Sequence, residues 1–316
     1  MTDFKTLKKS TDSIDRLSKE IEKINNPQNQ KTVREEDARY LKIPRDKAGN
    51  AFAVIRFLPS PPVDGDQGLP WVRYWDHGIE NKETGQWYIE RSLTTLNEKD
   101  PVSEYNSAQW NSVSNDDSPV RQAVRDRKRR LHHISNVLVV SYPRNPDLEG
   151  KVMLFEYGKK IFGKIQDCFR PPFDTQGRTP EDKDYNPTNA FDPFDLWKGA
   201  NFRLTMRTVQ KFPNYDASTW DVPGPISDDE AKLEKIWKSE HSLLTEVARD
   251  KFKTYDELKQ KFDRVMGFTS RNGPLDGYQR KTEVESLPKT LVEEDVPPFD
   301  IDEDDDLKNF RALADG

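Results

Sequence analysis

Cationic and aromatic side chains recur together along the middle of this 316-residue chain. Arg56 stands inside the apolar run "VIRFLP", Lys159 and Lys160 open "KKIF", and Arg207 and Lys211 flank "TVQ" in a stretch that continues into Phe212 and Tyr215. This pairing suits one ligand chemistry. Cations neutralise phosphates while rings stack on unpaired bases, each stacked base being worth on the order of 1–3 kcal/mol, and neither contact demands a base sequence. A strand with one wet face generates the same pattern without any ligand, so the residue types leave both readings open.

The stretch "DRKRRLHHISNVLVV", Asp126 to Val140, is denser. Four consecutive cations, Arg127, Lys128, Arg129 and Arg130, are costly together unless solvated or met by an anion, which makes them either a phosphate wall or a bare loop. His132 and His133 are adjacent, and neighbours on an extended chain point to opposite faces, so the pair does not ligate one metal. His77, in "DHG", reads as a turn residue. Cys168 is the sole cysteine, which excludes an intramolecular disulfide and a multi-cysteine zinc cluster within one chain; it reads as an inert, half-buried thiol. Phosphate-cradling glycine loops, serine-nucleophile elbows and His-Glu-x-x-His helices are missing from the sequence. The acids of "EDKDY" would suit Mg²⁺ in a nuclease, though surface loops are commonly acidic.

The elements that must position these residues are mostly short and β-rich. "AFAVIRFLP", "NVLVVSYP", "KVMLFEYGKKIF" and "NFRLTMRTVQKF" read as strands, and "WVRYWDHG" and "QWYIERSL" as a hairpin about "IENKETG". The expected fold class is mainly β with added helices (α+β): an OB-fold-like barrel core, a short N-terminal helix, C-terminal helices and a disordered acidic tail. Ile14, Leu17, Ile21 and Ile24 form the apolar stripe of the N-terminal helix. "SDDEAKLEKIW" and "TYDELKQKFDRVMG" open with capping-box spacing, at Ser227 with Glu230 and Thr254 with Glu257, the second stopping at Gly267. The stretch from Cys168 to Trp197, rich in Pro, Asp and Asn, predicts a long ordered loop over the barrel. Three parts follow: 1–27 as a basic N-terminal segment, 28–268 as the core, and 269–316 as linker and acidic tail.

Charge is unevenly placed. The chain carries a formal net charge of -6, yet nine acids and no base fall between Glu293 and Asp306, and without them the remainder stands at +3. A basic body with an acidic tail marks nucleic-acid binding or an interaction tail. No apolar run approaches a membrane span and no secretory signal is visible, so a cytosolic site of action is expected.

The chain resembles the single-stranded DNA-binding, helix-destabilising proteins of T-even-type bacteriophages. The resemblance runs from about Lys8 to Gly267 and is carried by "KKST", "GNAFAVIRFLP", "GQWYIE", "NVLVV", "EGKVMLFEYGKKIFGKI", "GANFRL", "FPNYDAS" and "KFKTYDELKQKFDRVMG". It implies a non-enzymatic protein that binds single strands cooperatively in the host cytoplasm during phage DNA replication, recombination and repair. Lys8, Lys9, Ser10 and Thr11 fall on the family's cooperativity motif, and the acidic tail on the region that recruits replication proteins such as polymerase and helicase loader. Arg56, Lys128, Arg129, Arg130, Lys159, Lys160, Arg207 and Lys211 are the expected phosphate contacts. Tyr105, Trp110, His133, Phe155, Phe212 and Tyr215 are the expected base-stacking rings, with His133 and Phe155 standing where the family has tyrosine. The rival readings are an acidic adaptor that binds no DNA and a metal-dependent nuclease.

The family holds zinc through one histidine and three cysteines in a subdomain matching about 71–115. The matching positions here are His77, Ser92, Asp100 and Ser103, and the three thiolates are gone. No zinc and no other cofactor is expected. Trp71, Trp75 and Trp110 are the expected hydrophobic plug in its place.

Overall fold

The structure, a computed structural model, describes residues 37–65, 68–210 and 212–268. The N-terminal helix with Lys8, Lys9, Ser10 and Thr11, the acidic tail, and Lys211 all lie outside the described residues. Contacts divide the chain into two units, Met1–Leu41 and Lys42–Gly316. In the first, Asp37 pairs with Arg39 at 2.6 Å across a short turn.

The second unit is mixed α+β. Its strands are β1 (Ala51–Phe57), β2 (Val72–Glu80), β3 (Trp87–Arg91), β4 (Arg130–Ser141), β5 (Val152–Tyr157), β6 (Phe202–Val209), β7 (Phe212–Asn214) and β8 (Thr219–Trp220). All pairings are antiparallel, in the order β3-β2-β4-β1-β6-β7, with β5 added to β4 and β8 to β6. The sheet curls because β4 is long enough to serve three neighbours. Its first half pairs with β2, its second half with β1, and its middle with β5. A register shift at Val54/Ile55 adds the local twist that bulges bring. The result is a curled half-barrel, in keeping with the barrel-like core expected from the strand-rich sequence.

Phe57 lies at the centre of the core, fully buried. Its ring is 5.6 Å from that of Tyr157, 5.7 Å from Phe194, 5.9 Å from Trp220 and 6.0 Å from Phe202, the tilted and edge-on spacings that aromatic quadrupoles favour. Leu58, Leu138, Leu196, Leu233 and Ile236 make a second apolar cluster.

Helices α1 (Pro101–Asn111) and α2 (Pro119–Asp126) were not expected from apolar periodicity. α1 buries little beyond its first turn, with Pro101, Val102 and Asn106 inside, so no stripe advertises it. The legible signals are the caps. Asp100 precedes Pro101 and Ser118 precedes Pro119, each side chain accepting a first-turn amide while proline fills N1. "KVMLFEYGKKIF" is likewise half strand and half helix: β5 ends at Tyr157, and after Gly158 the chain turns into α3 (Lys159–Phe169). α4 (Glu230–Lys238) is capped by Asp229 rather than Ser227. α5 (Tyr255–Met266) has the full Thr254/Glu257 capping box and closes on Gly267 in the left-handed region, as expected. Residues 171–201 hold no helix or strand and cover the core, Phe194 and Leu196 being buried.

Candidate nucleic-acid interface

The cations of α2 and of the stretch ahead of β4 meet rings brought to them by β2 and α1. The Arg129 guanidinium carbon lies 4.6 Å from the Trp75 ring centroid and its Nη1 donates to Thr94 Oγ1 at 2.7 Å. Arg127 lies 5.3 Å from the Tyr105 ring and donates through Nε to Asn106 at 2.9 Å. Trp110 is approached by Arg121 at 4.3 Å and Arg125 at 5.4 Å. These are cation–π distances, and a guanidinium laid on a ring loses little freedom on meeting a planar or phosphate partner. Arg121 and Arg125 were missed in the sequence because their spacing of four gains meaning only on α2, whose signals are short: Ser118-Pro119 and the pair Val120 and Val124.

Arg130 is held differently. Its Nε and Nη2 grip both oxygens of Asp76 at 2.9 and 2.7 Å, a bidentate pair laid across β2. Gly78 makes room, since a Cβ there would come within 2.4 Å of the Arg130 guanidinium. Asp76 also lies 3.1 Å from His132 Nε2, outside hydrogen-bond geometry, and His132 Nδ1 lies 2.9 Å from Glu156 Oε1. Burial opposes charge on His132, but Asp76 and Glu156 outweigh it and push the imidazole up to about 9. It is therefore a cation at neutral pH, stacked on Tyr74 at 5.0 Å.

A second group forms where α3 meets the β6–β7 hairpin. Lys159 and Lys160 occupy the first turn of α3, and Lys160 Nζ lies 3.8 Å from Asp216, beside Tyr215. Arg207 is exposed and pairs in register with Asn214, and Phe212 is 71% exposed. Tyr215 is half-buried. In this group the cations and the Phe212 ring stand in solvent together.

Three expected contacts are corrected by burial. Arg56 is 2% exposed. Its Nη2 donates to the carbonyls of Asp195 at 2.8 Å and Gly224 at 2.9 Å, and burial pulls its pKa down to about 10. Gly199 lets the loop come that close, because a Cβ there would meet Asp195 O at 2.5 Å. The charge within "VIRFLP" thus ties β1 to the covering loop instead of facing phosphate. His133 lies between Phe162, at 3.9 Å and 11°, and Tyr157, at 5.6 Å and 17°. Both ring faces are taken, and burial with Arg73, His132 and Lys159 nearby pulls its pKa down to about 4. Phe155 is buried against Tyr157 and Phe57. Trp110 and Tyr105 remain half-exposed, with Tyr105 also packed on Phe262 and Phe268.

The expected tryptophan plug does not form as one unit. Trp71 packs on Phe162 and Phe194, Trp75 under Arg129, and Trp110 against α2. At the positions matching the family's zinc ligands stands a polar cluster. His77 Nε2 lies 3.1 Å from Asp100 Oδ1, which also accepts from the amides of Val102 at 3.1 Å and Ser103 at 2.9 Å, while Oδ2 accepts from Leu93 at 3.1 Å. Burial disfavours the Asp100 carboxylate, but His77 and these amides win and hold its pKa at about 2. Ser92 Oγ contacts Thr94 Oγ1 at 2.9 Å. With the carboxylate already occupied and two hydroxyls in place of thiolates, the set does not fit zinc. Among the described residues no group of three or more His, Cys, Asp or Glu side chains is placed to hold a metal.

The fold is thus a half-barrel with guanidinium groups laid on rings next to the head of β4, an arrangement whose chemistry suits phosphates and planar groups. The family model for gp32 DNA binding protein like proteins matches residues 49–266, and the chain belongs to that family. It is 34% identical over 272 residues to the single-stranded DNA-binding proteins of Enterobacteria phages T2 and T4, covering 85% of this chain and 81% of each relative. It is also 42% identical over 72 residues to the single-stranded DNA-binding protein of Escherichia phage SV14, covering 22% of this chain and 59% of that one.

Proposed function

We propose that this protein binds single-stranded DNA without base-sequence preference and is not an enzyme. The observation that carries the reading is the concentration of ring-supported arginines, Arg125, Arg127 and Arg129, beside Lys128 and Arg130 at the head of β4. The names of the phage relatives agree with it. Lys159, Lys160, Arg207, Phe212 and Tyr215 extend the surface, with cations on phosphates and rings on bases. Cooperative assembly through Lys8, Lys9, Ser10 and Thr11 adds duplex destabilisation by mass action, since a ligand that prefers single strands draws the equilibrium toward them. The acidic tail recruits replication proteins, and the work is done on phage DNA in the host cytoplasm during replication, recombination and repair. No helix among the described residues is long and apolar enough to cross a membrane.

Titrating tryptophan fluorescence with single- and double-stranded oligonucleotides over a salt series tests the reading. The expected result is quenching by single strands at low salt, with affinity falling steeply as salt rises. Absence of any response to single strands would leave the acidic adaptor as the better account, and divalent-dependent cleavage of the oligonucleotide would favour the nuclease.

A further inference from the structure

We propose that the buried His77–Asp100 pair replaces a structural metal as the clasp of residues 71–115, so that the fold and its strand binding are zinc-independent. The inference rests on the reading above only in its second half. Four donors from three parts of the chain converge on one carboxylate. His77 comes from β2, Leu93 from the turn after β3, and Val102 and Ser103 from the first turn of α1, all within 3.1 Å of Asp100 oxygens. The side chains of His77 and Asp100 are 1% and 0% exposed. A structural zinc performs the same topological task by tying hairpin and helix through one centre. Here one carboxylate that also caps α1 does it, Oδ1 meeting His77 and the amides of Val102 and Ser103 and Oδ2 the amide of Leu93.

Two further observations set the cluster against a cation. Ser103 Oγ and His77 Nδ1, buried and without a hydrogen-bond partner, are the donor atoms left over. His77 and Ser103 border a cavity of about 30 Å³ with Asn106, Ser107, Val124, Lys128 and Arg129, a lining with two cationic residues and no carboxylate, which disfavours a divalent ion. The same cavity gives the clasp its functional meaning. Lys128 and Arg129, two of the cations assigned to phosphate, border it with His77, so loss of the clasp should be felt at them as well as at the junction of β2 and α1.

The test uses the full chain purified without added metal. Zinc content is measured by elemental analysis, and melting and single-strand titration are run with and without a strong chelator. Substoichiometric zinc, with melting temperature and strand affinity unmoved by chelation, is the expected result; one zinc per chain, or melting temperature lowered by chelator, would overturn the proposal. His77→Gln, Asp100→Asn and the double variant are then compared. Each single change should lower the melting temperature and weaken strand binding several-fold, and the double should cost no more than the worse single. Additive losses would mean that the two side chains do not act as a pair. Should wild-type protein bind no single strands, the functional reading fails, while melting and zinc content still decide the clasp.

Discussion

His132 and Glu156 face each other across the β4–β5 ladder with Nδ1 2.9 Å from Oε1, and the opposite ring nitrogen lies 3.1 Å from Asp76. An imidazole between two carboxylates is held as a cation, so part of the stability of the β2–β4–β5 portion of the sheet depends on a proton. Because the folded pKa is raised from 6.5 to about 9, the contribution is whole below about pH 6.5 and fades as pH rises through about 9. Asp76 and Glu156 are shifted down by His132, and Asp76 by Arg130 as well, against burial that raises both; their contribution fades only in acid. His132→Gln should therefore cost about 1–3 kcal/mol near pH 6 and much less near pH 10. Denaturant melts of both proteins at the two pH values check this; a gap that stays constant with pH would refute it.

Arg56 should behave as a structural residue. Removing its guanidinium leaves the Gly224 carbonyl without its donor, takes one of two donors from Asp195, which keeps the Gly199 amide, and opens a void under the covering loop, so Arg56→Ala should destabilise the fold by about 3 kcal/mol or more. A phosphate-contacting Arg56 would give the opposite outcome, with melting unchanged and strand affinity reduced. Thermal melts alongside oligonucleotide titration distinguish the two.

Phe212 and His133 form a contrasting pair. Phe212 is 71% exposed, so Phe212→Ala should leave stability within about 0.5 kcal/mol while weakening strand binding by about 1–3 kcal/mol. His133 sits between Phe162 and Tyr157, so His133→Ala should cost about 2–4 kcal/mol of stability, and any loss of binding should follow from the fold. Urea melts with equilibrium titrations under native conditions measure both quantities.

The ring-supported arginines should appear in the salt dependence. Replacing Arg127 or Arg129 with Ala should lower affinity for all strand sequences alike. Each should reduce the slope of log affinity against log salt by about 0.7 if it meets one phosphate. An unchanged slope for both variants would remove them from the phosphate wall.

The sequence alone determined the strand-rich architecture, the capped α5 and the residue types of the interface, because these follow from local periodicity, turn chemistry and charge. "TYDELKQKFDRVMG" carries its own start and stop, and Phe212 beside Arg207 needs no distant partner to be read. Helix α1 was legible only in Asp100-Pro101, since it shows no apolar stripe, and α2 in Ser118-Pro119 and a stripe of one turn, Val120 and Val124. Which cations and rings face solvent was decided by tertiary structure. Arg56, His133 and Phe155 carry the same side-chain chemistry as their exposed counterparts, and only the covering loop, α3 and the curl of the sheet bury them. The same holds for His77 and Asp100: 23 positions apart in the chain, they become one clasp because the β2–β3 hairpin folds back to the cap of α1. Burial and pairing between distant segments are properties of the packed chain, and no local pattern encodes them.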